Sequence, residues 1–119
     1  MAAPNLIGAT TITGKTAFAN CTTSTSNVIT NGASSGTVVK LNTIILTNYS
    51  SSPVYSNTIV NRNGTTYYLG GTIIIPSNSL LTLIGKDTSL YLEENDTLQV
   101  NVSANSSVHL SAGYELIAT

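Results

Sequence analysis

The chain has little charge, one cysteine and no tryptophan. Of 119 residues only 8% are charged, four Lys or Arg against five Asp or Glu, for a net charge of −1. A typical globular domain carries about 25%. With no basic field to displace counterions from phosphates, nucleic acid is not an expected partner. Chains with so little charge repel copies of themselves weakly, so an assembled state is the natural expectation. Cys21 has no second cysteine to bridge to, and with His109 it cannot complete a zinc shell. No apolar run approaches the roughly 20 residues that span a bilayer. The first ten residues, MAAPNLIGAT, have neither the basic n-region nor the apolar h-region of a signal peptide, so synthesis and folding in a cytosol are expected.

Apolar residues make up 41%, enough for a single domain of this length to close a core. Asn, Ser and Thr, about two residues in five, supply the polarity that charge does not. Six Asn-X-Ser/Thr triplets occur, but chance in so Asn- and Thr-rich a chain predicts about four, so they are read as composition rather than as glycan acceptors.

Period-two patterning dominates. In Leu98–Val102, Leu98, Val100 and Val102 point one way and Thr97, Gln99, Asn101 and Ser103 the other, as on a half-buried strand. With Leu80–Ile84 and Leu90–Leu92 before it, the stretch from Ser79 to Ser103 reads as a three-strand antiparallel meander. Upstream, Thr11–Cys21 reads as a strand with Ala17 and Ala19, or else Phe18, turned inward. Val28-Ile29 makes a short strand. Thr37–Asn48 is a long β-branched run with apolar residues on both faces, which predicts a central strand. Val54–Arg62 and Thr65–Leu69 flank Asn63-Gly64, a type I′ hairpin signal. Gly70-Gly71 marks a bulge or bend before Thr72–Ile75, and Val108–Ala118 is the last strand. No segment shows helical periodicity. The expected fold is all-β, a single antiparallel β-sandwich (Ig-like or jelly-roll-like) of eight or nine strands over residues 11–119, behind an N-terminal arm at 1–10.

Sites of chemistry are scarce. His109 falls out of phase with Val108 and Leu110, as an exposed strand residue would. Asp87, Glu93, Glu94 and Asp96 lack the order of a calcium loop and read as a solvated corner. No nucleophile elbow, HExxH pair or phosphate-cradling loop occurs, so no catalytic residue, metal or cofactor is expected. What is left is surface. Leu6 and Ile7 in the arm would be costly to leave in water and could dock on a neighbour. Tyr49, Tyr55, Tyr67 and Tyr68 are candidate partner contacts, since Tyr is enriched in interfaces. A tyrosine platform for sugars is the competing reading.

The order of ITGKT (Ile12–Thr16), TVVKLNTIILTN, TTYYL and SLYLEENDTLQV resembles small virion structural proteins of tailed bacteriophages, especially cyanophages. The strand pattern K-[LI]-N-x-I falls on Lys40–Ile44 and the pattern [ST]-x-Y-L-x-E-x-D-x-[LI] on Ser89–Leu98. The likeness covers residues 14–117. Asn95 stands where the turn would have Gly, and Asn tolerates the same left-handed backbone. The resemblance implies a capsid decoration or cement protein at the virion surface, made in the host bacterial cytoplasm. Such a protein would be a dimer or trimer bound to the major capsid protein. Tail, neck or fibre subunits are the alternatives it leaves open; the tyrosines keep a glycan-binding module for host attachment as a separate alternative.

Overall fold

The computed structural model describes residues 8–118. Nine strands form two antiparallel sheets that pack as a sandwich: β1 (Thr11–Cys21), β2 (Ser26–Thr30), β3 (Thr37–Asn48), β4 (Val54–Arg62), β5 (Thr65–Ile75), β6 (Ser79–Ile84), β7 (Leu90–Leu92), β8 (Asp96–Val102) and β9 (Val108–Ala118). One sheet runs β1-β9-β3-β6, with β7 also on β3; the other runs β2-β8-β4-β5. No α-helix occurs among the described residues, and none is long and apolar enough to cross a membrane. Sealed between the sheets are Leu41, Ile44, Leu46 and Leu110 from one, and Val54, Ile75, Leu98 and Val100 from the other. Aliphatic side chains of this size each contribute about 1.5–3 kcal/mol when fully buried.

Several sequence expectations hold to the residue. The bounds of β1, β3, β4 and β9 are those read from alternation. In β1 it is Ala17 and Ala19 that pack on the core, while Phe18 stands 79% exposed. Asn63 and Gly64 both take positive φ, 53° and 83°, closing the β4–β5 hairpin with Arg62 opposite Thr65. Gly70-Gly71 does mark bulging: Asn57 faces two residues, Gly71 and Thr72, and Leu69 is a further extra residue. The two runs read as separate strands are therefore one bulged strand. Gly70 also permits a close approach, because a Cβ there would meet Ile73 Cδ1 at 2.7 Å and Leu83 Cδ1 at 2.9 Å.

One expectation is narrowed and one is corrected. β3 is central, between β9 and the β6/β7 edge, and it buries both faces only at its start, where Val38 and Val39 point opposite ways at 4% and 2% exposure. Asn42 is an extra residue in the β3–β9 ladder, between Leu41 opposite Tyr114 and Thr43 opposite Gly113. The bulge shifts the inward phase from Val39 and Leu41 to Ile44 and Leu46, so one face collects apolar residues of both parities. The stretch from Ser79 to Ser103 is not a meander. β6 and β7 each pair with β3, whereas β8 lies in the opposite sheet between β2 and β4. A 3-10 turn at Lys86–Thr88 links β6 to β7 along one edge, and the next connection changes layer. Among the described residues only β4–β5 and β6–β7 are joined within a sheet; every other connection crosses the sandwich.

Candidate functional site

The outward residues of the four-stranded sheet follow from the alternation that fills the core. In β8 the inward row is Asp96, Leu98, Val100 and Val102, which leaves Thr97, Gln99 and Asn101 outside. In β4, Val54, Ser56, Thr58 and Val60 are buried inward, which turns Tyr55, Asn57, Ile59 and Asn61 outward, with Ile59 itself covered at 6% exposure. β5 adds Tyr68 opposite Ile59 and Ile74 opposite Tyr55; β2 adds Asn27 opposite Gln99 and Thr30 opposite Thr97. No charged side chain occupies this face among the described residues. The acidic and basic groups sit elsewhere: Arg62, Glu93 and Asp96 at one end, Lys40 and Glu115 on the other sheet.

The amides on this face are already ordered. The Thr72 backbone N–H donates to Asn57 Oδ1 at 2.8 Å, Asn57 Nδ2 to Asn101 Oδ1 at 2.9 Å, and Asn101 Nδ2 to Thr25 Oγ1 at 3.0 Å. In the next row Gln99 Nε2 donates to Asn27 Oδ1 at 2.8 Å. A primary amide offers two donors and two lone pairs. Each linked amide therefore keeps capacity for an incoming partner, and its rotamer is set before contact. Tyr55 and Tyr68 flank the amide rows with exposed rings. Chemically, the surface can exchange neutral hydrogen bonds and pack aromatic area.

The candidate tyrosines do not converge. Tyr55 and Tyr68 share this face. Tyr67, paired with Val60, turns to the other side and lines a cleft of about 200 Å³ with Leu69, Leu90 and Tyr91. Tyr49 lies beyond β3 and stacks on His109, with ring centroids 4.5 Å apart and planes tilted by 39°. Leu6 and Ile7 lie outside the described residues. Sequence reasoning missed Asn27, Asn57, Gln99 and Asn101, although the outward alternation of β8 carried the signal.

The acidic corner is a structural joint rather than a solvated turn. Asp96 is fully buried, and Arg62 grips it with both donors, Nε to Oδ1 at 2.7 Å and Nη2 to Oδ2 at 2.6 Å. The Glu93 backbone N–H adds a third bond to Oδ2 at 2.8 Å, and Glu93 Oε2 accepts from Arg62 Nη2 at 3.1 Å. Hydrogen bonding to Asp96 raises the guanidinium pKa above its already high range. Glu94 Oε2 accepts from the Gly36 N–H at 2.9 Å, tying this turn to the β2–β3 connection.

Cys21 closes β1 with its thiol buried, and burial pushes its pKa up from 9.0 to about 11. Well below pH 9 the thiol is neutral in both folded and unfolded chains. Between pH 9 and 11 the unfolded chain ionises first, so stability should fall as pH rises, by about 1.4 kcal/mol per unit at most. Urea titrations at pH 8 and pH 10.5 should show a Cys21→Ala variant losing less than the native chain over that interval; equal losses would contradict the assignment. No protein-family model matches this chain, and a search of curated proteins returned no match.

Proposed function

We infer that the chain is a non-enzymatic structural subunit of a virion, and that it works as a capsid decoration or cement protein on the lattice of a major capsid protein. The particle assignment comes from the resemblance of Ile12–Thr16, Lys40–Ile44 and Ser89–Leu98 to tailed-phage virion proteins. The observation that carries the binding role is the charge-free, pre-ordered amide and tyrosine face of the β2-β8-β4-β5 sheet. Fixing the side chains beforehand lowers the entropy lost on docking. Without charge, the contact draws its strength from complementarity and buried area rather than from steering.

Electron microscopy of an intact particle should find the chain at hundreds of copies on the head. A handful of copies would move it to neck, tail or fibre, and absence from the particle would sink the assignment. Occupancy should change by less than about threefold between low and high salt, because screening acts on charges that this face does not have. Tyr68→Lys should lower occupancy at least about tenfold while the isolated domain keeps its melting temperature. The amide rows with Tyr55 and Tyr68 also suit a neutral glycan; binding on a glycan array that Tyr68→Lys abolishes would favour host attachment instead.

A further inference from the structure

The sandwich has four sheet edges, and three of them are blunted. β2 is five residues long and bulged at Val28. β5 is bulged twice. The β6/β7 edge is broken by the turn at Lys86–Thr88. Short strands, bulges and breaks are the usual protections against stray strand pairing. β1 is neither short, bulged nor broken, and Lys15 is the one edge charge it carries. It pairs with β9 in unbroken register over all eleven residues, from Thr11 opposite Ala118 to Cys21 opposite Val108, and contains no proline. Among the described residues no strand covers its other side.

The outward row of β1 is as unusual as its edge. Phe18 stands 79% exposed, and four residues earlier on the same face is Gly14, where an added Cβ would meet nothing within 4 Å. Behind Gly14 lies a depression of about 700 Å³ floored by Gly14 and Gly113 and rimmed by Lys40, Thr43 and Glu115. A protruding ring and a glycine hollow on one strand form a knob and a hole.

We propose that β1 is a self-association edge: two copies pair antiparallel through β1 about a two-fold axis at Thr16. That register sets Phe18 of each copy opposite Gly14 of the other, and the ring enters the hollow where an edge glycine leaves space. Ile12 then faces Asn20, Thr13 faces Ala19, and Lys15, the only charge on β1, faces Ala17 rather than itself. The same patch serves both copies, so the contact is isologous and closes at a dimer instead of growing into a fibre. It joins the two β1-containing sheets into one continuous sheet and leaves both charge-free faces open. The pairing does not depend on a place on any particle, so it can fail or hold apart from the virion role.

Sedimentation of the purified full chain tests it. The native chain should sediment at twice the chain mass at micromolar concentration. Thr16→Lys places two ammonium groups face to face at the axis and should weaken the dimer at least about tenfold. Thr16→Glu alone should do the same, and mixing the two variants should restore a heterodimer. Thr16 is exposed, so both variants should keep the native melting temperature measured as monomers. Thr16→Cys should close an intermolecular disulfide under mild oxidation, since directly opposed antiparallel residues lie about 4.5–5.5 Å apart at Cα, within disulfide reach. A chain that stays monomeric, or a dimer indifferent to Thr16→Lys, overturns the proposal. So does a dimer lost on deleting residues 1–10 but kept by Thr16→Lys, which would assign the edge to the arm of a neighbour.

Discussion

Arg62→Leu should destabilise the fold by about 3 kcal/mol, more than Asp96→Asn does, although both break the same ion pair. The asymmetry follows from burial. Arg62 keeps 42% of its side chain exposed, whereas Asp96 has 0%. Losing Asp96 frees a guanidinium that water can take up. Losing Arg62 strands a carboxylate in the core with only the Glu93 N–H and no counter-charge. The exposed half of the pair is screened, which keeps the expected loss below the upper end seen for fully buried pairs. The double variant Arg62→Leu/Asp96→Asn should recover part of the loss, since no buried charge remains. Chemical denaturation of the four chains makes the cycle, with ΔΔG read from midpoints at constant slope. An Arg62→Leu chain as stable as Asp96→Asn would mean that water reaches Asp96 in the native protein.

The joint at Asp96 belongs to a pattern that explains what could be read from the sequence. Strands with clean alternation were legible to the residue, because packing one face of a pleated strand imposes a period of two and nothing else competes. The Asn63-Gly64 hairpin and the bulge at Gly70-Gly71 were legible because their backbone conformations demand those residues. Partner choice was not. β6, β7 and β8 follow one another along the chain, and sequential strands often pair, yet β8 changes sheet. The bulge at Asn42 was hidden by a plausible reading of two apolar faces. Its trace is the shift from odd positions, Val39 and Leu41, to even ones, Ile44 and Leu46. The charge-free face was visible as outward alternation in β8, but its extension across β4 and β2 depends on register that distant turns decide.

Asn31, Asn48 and Asp96 were missed for a single reason. Each is a polar residue in phase with an inward apolar row and one step beyond its end: Asn31 after Ile29, Asn48 after Ile44 and Leu46, Asp96 before Leu98 and Val100. Each also sits where the chain crosses between sheets. A crossing takes backbone groups out of one ladder before they enter the other, and buried groups of that kind must find partners elsewhere. Asn31 Nδ2 donates to the carbonyls of Thr37 at 3.0 Å and Leu92 at 3.1 Å, while its Oδ1 accepts from Ser35 and Thr37 hydroxyls. These side chains are the corner joints of the sandwich. A polar residue that extends an inward row at a crossing is the sequence signal for such a joint.

Asn48 is the most demanding of the three, and its replacement gives the sharpest test. Its amide nitrogen donates to the carbonyls of Ser52 at 2.8 Å, Ile75 at 2.9 Å and Pro76 at 3.2 Å, and its oxygen accepts from the Ser50 N–H at 3.0 Å and hydroxyl at 2.7 Å. The residue is fully buried and so is its bond to the Ile75 carbonyl, whereas Ser50, Ser52 and Pro76 keep access to water. Asn48→Ala should cost about 3 kcal/mol, since the buried Ile75 carbonyl loses its partner at about 1–3 kcal/mol and the part-buried groups lose theirs at a smaller cost. Asn48→Asp should cost more again at neutral pH, despite nearly identical shape, because it swaps the donor for a charged oxygen aimed at carbonyls. Acidification toward pH 4 should return part of that loss, as a protonated carboxyl regains one donor. Asn48→Leu tests packing alone: it restores volume without donors and should stay close to Asn48→Ala. Thermal melts of the three variants decide the matter. An Asn48→Asp protein melting within about 2 °C of the native chain, where a loss of this size should lower Tm by 10 °C or more, would show that the β3–β4 crossing does not depend on this amide.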